Sequence, residues 1–163
     1  MAEALIGLGG NVGDVRVTLD RAVAAFCDGH AVRLLARSSD YETPPWGVTD
    51  QPPFVNLCLR VDTALGPRAL LERALAVEAA LGRDRAAGTR WGPRPVDIDI
   101  LAYGDLALDE PDLRLPHPRM AERAFVLVPL AEIAPDWPIG GVPVAALAAR
   151  IDATGVTRLA GRG

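Results

Sequence analysis

The sequence predicts an α+β domain in which two helices cover one face of an antiparallel sheet. Three observations carry that expectation. Phe54 to Asp62 and Val96 to Ile100 alternate apolar and polar residues with the period of a half-buried strand. Two other segments place apolar residues at helical spacing between recognisable start and stop signals. Read in order, the first two-thirds of the chain runs strand, helix, strand, strand, helix, strand, the split β-α-β arrangement called ferredoxin-like.

Each element has its own warrant. Ala4 to Leu8 reads as a short buried strand ending in a turn at Gly9-Gly10-Asn11. Asp14 is placed to cap a helix whose apolar stripe is Leu19, Ala22, Val23 and Phe26. A second strand is expected over Val32 to Tyr41. Thr43-Pro-Pro-Trp-Gly47 is a stiff loop, because consecutive prolines remove donors and fix φ. In the next strand Val55, Leu57, Leu59 and Val61 face one way, and Phe54, Asn56, Cys58 and Arg60 the other. Pro67 opens and Gly82 closes a helix carrying Leu70, Leu71, Ala74, Val77 and Leu81. After the Val96 to Ile100 strand, Tyr103-Gly-Asp105 turns into a short arm at Leu106 to Leu108. Pro116-His-Pro-Arg119 breaks structure, and Met120 to Ile133 reads as one or two helical pieces. The tail adds a helix near Val144 to Ile151 and a strand near Val156 to Leu159. This final third is expected to cover the other face of the sheet, giving a three-layer α/β/α arrangement in a single domain, 1–163.

Composition narrows the class. Half of the 163 residues are apolar and 23% are charged, which suits a globular protein. All 17 basic residues are arginine. Without lysine, Gly7-Leu-Gly-Gly-Asn11 is no P-loop and Schiff-base chemistry on lysine is excluded. A net charge of −4 argues against a nucleic-acid-coating protein. The two cysteines, Cys27 and Cys58, form no framework or metal pattern, which fits a reducing compartment. No apolar run approaches a membrane span, so a cytoplasmic location without membrane contact is expected.

The chemistry concentrates between Gly82 and Ile100. Arg83, Arg85, Arg90 and Arg94 stand against the single acid Asp84. Asp97 and Asp99 then share one face of the following strand, roughly 6.5–7 Å apart by strand geometry. Carboxylates so close repel unless a cation sits between them, and hard oxygen ligands favour Mg²⁺ or Mn²⁺. Beside an arginine-rich, glycine-bearing loop, such a pair suggests a polyphosphate substrate. Read alone, the stretch fits equally an ordinary solvated strand face beside a surface loop. Phe54 and Asn56 emerge on the same side as the aspartates, where a ring and an amide can stack on and bond to a flat heterocycle. They also suit a second core layer, and Phe125 has the same two readings. Trp91 either anchors its loop or closes over a ligand. Glu78 either orients an arginine or is simply exposed. His117, between two prolines, lacks a nucleophile partner.

Taken in order, Leu8-Gly-Gly-Asn11, Tyr41-Glu-Thr-Pro-Pro-Trp-Gly47, Asp50-Gln-Pro-Pro-Phe-Val-Asn56, Arg90-Trp-Gly-Pro-Arg-Pro-Val-Asp-Ile-Asp99, Leu115-Pro-His-Pro-Arg-Met120 and Arg123-Ala-Phe-Val-Leu-Val-Pro-Leu130 resemble the 6-hydroxymethyl-7,8-dihydropterin pyrophosphokinases of folate biosynthesis. The resemblance spans roughly residues 4 to 137. It implies transfer of pyrophosphate from ATP to the pterin hydroxymethyl group, leaving AMP. Asp97 and Asp99 then match the ligands of two Mg²⁺ ions, and Arg83 and Arg94 the phosphate-contacting arginines. Arg85, Arg90 and Trp91 fall in a substrate-covering loop. Thr43, Pro45, Trp46, Phe54, Asn56 and Phe125 match the pterin pocket, with Trp91 and Asp97 beside it. Glu78, Ile100, His117 and Arg123 match positions around the nucleotide. The implied partners are small molecules rather than nucleic acid or membrane. The protein is expected to act as a monomer, with hand-over of product to dihydropteroate synthase. Gly10 departs from the serine common in the family, and the Arg85 to Arg90 loop looks a residue longer than in some members. The competing reading is a non-catalytic ferredoxin-like module that senses nucleotide or binds RNA.

Overall fold

A computed structural model of the chain describes residues 1–45, 50–82 and 95–161. Its sheet is built on β4 (Phe54–Thr63), which pairs antiparallel with β1 (Ala2–Gly10) along its whole length. The opposite edge of β4 is shared by β2 (Val32–Arg37), against its C-terminal half, and β3 (Tyr41–Thr43), against its N-terminal half. β1 in turn pairs with β5 (Asp97–Tyr103). The order β5-β1-β4-β2/β3 is the ferredoxin-like arrangement, and every neighbouring pair is antiparallel.

α1 (Val15–Phe26) and α2 (Pro67–Ala80) cover one face. Asp14 caps α1 by accepting from the Val17 amide at 3.4 Å, and Leu19, Ala22, Val23 and Phe26 are all buried. They meet Ile6 and Leu8, the four alternate apolar residues of β4, and Val96, Ile98 and Ile100. The other face carries a second cluster. Leu5, Cys58, Leu101 and Ala102 of the sheet pack against Met120, α3 (Ala124–Ile133) and Val144 of α4 (Val144–Arg150). The result is the expected three-layer α/β/α architecture.

Several boundaries differ from the sequence expectations, each for a local reason. The glycines after Leu8 form no turn; Gly9 and Gly10 are paired residues of β1. The expected strand over Val32 to Tyr41 is two strands broken at Ser38. There the Ser38 hydroxyl accepts from the Cys58 amide at 2.9 Å, so a side chain replaces a ladder partner. The arm expected at Leu106 to Leu108 instead starts at Leu108, because the Leu106 amide closes the turn onto the Tyr103 carbonyl. It forms a hairpin of β6 (Leu108–Glu110) and β7 (Leu113–Leu115). A second small hairpin, β8 (Pro138–Ile139) with β9 (Val142–Pro143), turns through Gly140 and Gly141, both at positive φ. The tail ends in β10 (Thr157–Arg158), which pairs with β3.

Candidate active site

Where the covering layer stops short of β1 and β5, the sheet face opens into a cleft of about 490 Å³. Its floor is made by absence. Gly9 sits in register between Asn56 on β4 and Asp97 on β5, and Gly7 between Cys58 and Asp99. A Cβ added to Gly9 would lie 2.4 Å from Asn56 Oδ1, so only glycine leaves that amide its place. The strand pleat therefore sets Asn56, Asp97 and Asp99 around a bare patch of backbone.

On the β3 side, Thr43 Oγ accepts from Asn56 Nδ2 at 3.1 Å, and Phe54 is Thr43's partner in the sheet. On the opposite wall stand Phe125 and Arg123, whose guanidinium lies 5.6 Å from the Phe125 ring centre. Thr43, Phe54, Asn56, Asp97, Asp99, His117, Arg123 and Phe125 thus all border one cavity, eight residues drawn from four separate stretches of chain.

Asp97 and Asp99 hold their positions through the layer beneath. Glu78 of α2 is buried at 2% exposure, and its Oε2 accepts from the Ile98 amide at 2.7 Å, between the two aspartates. Beyond Asp99 the register shifts, so that Leu101 and Ala102 both enter the second cluster. That bulge turns the end of β5 toward the covering layer, while Asp97 and Asp99 stay on the open floor.

His117 is fixed from two sides. Its amide donates to the Leu101 carbonyl at 2.8 Å, and its Nδ1 accepts from the Arg119 amide at 3.2 Å. Burial and the nearby Arg123 push its pKa below the ordinary histidine value, against the opposing pull of Asp97. At neutral pH the ring is uncharged. With Nδ1 accepting, the proton resides on Nε2, which is then a donor.

Two residues expected near a nucleotide do not reach the cleft wall with their side chains. Ile100 packs in the helix-side core, because the period-2 pleat sends it opposite to Asp99. Glu78 lies behind β5 rather than on the open face. Pro45 is half-buried and is not among the wall residues. Trp46, Arg83, Arg85, Arg90, Trp91 and Arg94 lie outside the described residues. The wall also includes Arg119, Glu122, Leu101 and Cys58, none of which was assigned a role from the sequence. Cys58 was legible, since the alternation of β4 puts it beside Asn56. Arg119 and Glu122 were not, because only the fold of 116–123 brings them to the rim.

The donor set suits a hard cation. Asp97 and Asp99 offer oxygens side by side, and among the described residues no three or more acidic, His or Cys side chains are grouped so that they could hold a metal ion by themselves. Mg²⁺ matches that sparse set, since it is usually held by one or two carboxylates with water and substrate phosphates completing its shell. A fully protein-coordinated structural ion does not fit.

Residues 5–135 match the family model described as 7,8-dihydro-6-hydroxymethylpterin-pyrophosphokinase. The chain belongs to this pterin pyrophosphokinase family. A relative from Methylorubrum extorquens, a 2-amino-4-hydroxy-6-hydroxymethyldihydropteridine pyrophosphokinase, is 50% identical over 98% of this chain and 99% of its own length. The Bacillus subtilis protein of the same name is 46% identical over 80% of this chain and 77% of its own. Among solved structures, an HPPK-DHPS protein in complex with substrates superposes with a TM-score of 0.72 at 13% identity, over 91% of this chain and 43% of that one. The Plasmodium falciparum HPPK-DHPS gives a TM-score of 0.70 at 14% identity, over 91% and 41%. At that identity the likeness concerns the fold, and this pyrophosphokinase chain spans less than half of those longer proteins. No helix among its described residues is long and apolar enough to cross a membrane.

Proposed function

We propose that the chain transfers pyrophosphate from ATP to the hydroxymethyl group of 6-hydroxymethyl-7,8-dihydropterin, releasing AMP. One observation carries the reading: Asp97 and Asp99 share a cleft floor with an aromatic and amide slot formed by Phe54, Asn56 and Phe125. A polyphosphate-metal platform and a flat-heterocycle site then lie within one cavity, as a two-substrate transfer requires.

In this reading the bicyclic ring lies between Phe54 and Phe125, and Asn56 reads its polar edge with both donor and acceptor atoms. Thr43, bonded to Asn56, fixes which way that amide faces. Asp97 and Asp99 hold Mg²⁺, whose charge, when bound, offsets that developing on the phosphate oxygens. The pterin oxygen forms a bond to the β-phosphorus as the bridge to the α-phosphate breaks, and the hydroxyl proton is released. Arg123 and the Nε2–H of His117 donate to the nucleotide's phosphates from the opposite wall. Arg83 and Arg94 are assigned to the same phosphates and Arg85, Arg90 and Trp91 to covering them, on the family resemblance. The chain acts as a single-domain, cytoplasmic monomer on these small molecules, passing its product to a dihydropteroate synthase.

The test is direct. The protein is incubated with ATP, Mg²⁺ and the reduced hydroxymethylpterin, and the nucleotide product is separated chromatographically. AMP formation that depends on the pterin is expected. ADP alone, or no turnover, would overturn the reading, and ATP binding without any pterin-dependent turnover would instead support a non-catalytic nucleotide-sensing module.

A further inference from the structure

The family match ends at residue 135, yet the last stretch of chain returns to the substrate side of the sheet. β3 is only three residues long and carries Thr43 to the cleft. On one side it pairs with β4, setting Tyr41 opposite Asn56 and Thr43 opposite Phe54. On the other side its partner is β10, with Thr157 opposite Glu42 and Arg158 opposite Tyr41. The Leu159 amide donates to the Asp40 carbonyl at 2.9 Å, extending the pairing by one bond.

Two further contacts fasten the tail. Arg16 of α1 bridges it to the strand break, donating through Nε to Asp40 Oδ2 and through Nη2 to the Ala160 carbonyl, each at 2.8 Å. Asp40 is itself buried at 6% exposure. Just before β10, Gly155 lies against Pro44; a Cβ added there would stand 3.1 Å from the proline Cγ, at a backbone φ of +87°. A short strand ending in consecutive prolines has few bonds of its own with which to hold a position. Here it is gripped along its free edge from residue 40 to residue 44.

We infer that the C-terminal tail, residues 155–160, is a positioning strap for the heterocycle side of the cleft. By holding β3 and Pro44 it keeps Thr43 bonded to Asn56, and so sets affinity for the flat ring while leaving the Asp97/Asp99 platform untouched. The inference rests on the proposed function for the identity of the ring, which is a reduced pterin. Arg16, Gly155 and β10 touch no substrate in this account; they act through Thr43 and Asn56.

The two claims separate experimentally. Binding of the reduced hydroxymethylpterin and of MgATP is measured by titration calorimetry, with steady-state kinetics, for the full chain, Arg16→Leu, Arg16→Lys, Gly155→Ala and a chain ending at Ala153. If the full chain binds no pterin, the proposed function fails and the strap's role fails with it. If it does, Gly155→Ala and Arg16→Leu should raise the pterin Kd and KM by about three- to tenfold, the range expected when a preformed wall must be ordered on binding. MgATP affinity and kcat at saturating pterin should stay within about twofold. Arg16→Lys, which keeps a cation against Asp40, should recover part of the loss. Should the shortened chain fail to fold, the point variants decide. Unchanged pterin affinity in both Gly155→Ala and Arg16→Leu, or an equal loss for pterin and MgATP, would overturn the inference.

Discussion

The carboxylate of Glu78 accepts a hydrogen bond from the Ile98 amide at 2.7 Å, within the protein and between the two aspartates of the cleft floor. α2 thereby fixes the height and pitch of β5 at the residue separating Asp97 from Asp99. Glu78→Leu leaves that buried amide without its acceptor, and the expected cost is about 1–3 kcal/mol of stability. Glu78→Gln keeps an acceptor and should cost less than half as much. Denaturant unfolding curves for the two variants check this, and equal stabilities would remove Glu78 from its positioning role.

Gly9→Ala tests the floor itself. The new methyl would displace Asn56 Oδ1, which lies 2.4 Å from its place, and the bond to Thr43 would go with it. Pterin KM should rise on the order of tenfold or more, while a far-ultraviolet dichroism spectrum remains that of the parent. A variant with unaltered KM would show that Asn56 does not read the substrate.

The lowered pKa of His117 has a signed consequence for stability. The unfolded chain takes up this proton near 6.5, whereas the folded chain, where burial and Arg123 disfavour the cation, takes it up only at lower pH. Stability therefore falls as pH drops through 6.5 and stops falling on this account once pH passes the folded value. His117→Asn, which retains an acceptor for the Arg119 amide, should lose less stability between pH 7.5 and 5.5 than the parent. Parallel pH slopes in urea titrations would contradict the assignment.

Burial also silences both thiols. The Cys27 pKa is pushed up to about 11, and complete burial with Asp99 nearby pushes Cys58 up further. At pH 7.5 neither should react readily with a disulfide reagent in the native protein, and both should react at once in guanidinium. Rapid native labelling of Cys58 would show that the cleft floor opens to solvent.

Most of this arrangement could be read from pattern. The alternation in β4 and β5 correctly separated Val55, Leu57, Ile98 and Ile100 from Asn56, Asp97 and Asp99, because a pleat admits no other assignment once one face is buried. Asp14 marked a helix start through its side-chain carboxylate, and Pro67 and Gly82 marked helix ends through their backbone conformations. What escaped the reading depended on long-range partners. Gly9 looked like turn material, since nothing local shows that Asn56, 47 positions later, will occupy the space of its missing side chain. Glu78 looked exposed or set to orient an arginine because its partner is a backbone amide, which no side-chain pattern reveals. The break at Ser38 depends on the Cys58 amide, and Arg119 and Glu122 reach the rim only through the fold of the segment that carries them.

If Asp97 and Asp99 form the metal platform of a pyrophosphoryl transfer, turnover must depend on both carboxylates and on Mg²⁺. The decisive measurement is AMP release from ATP in the presence of the reduced hydroxymethylpterin, followed across a Mg²⁺ titration for the parent, Asp97→Ala and Asp99→Ala. The expected result is Mg²⁺-dependent AMP formation by the parent, with each variant slower by roughly two orders of magnitude or more and still folded by dichroism. Parent-like AMP release by either folded variant at ordinary Mg²⁺ would contradict it.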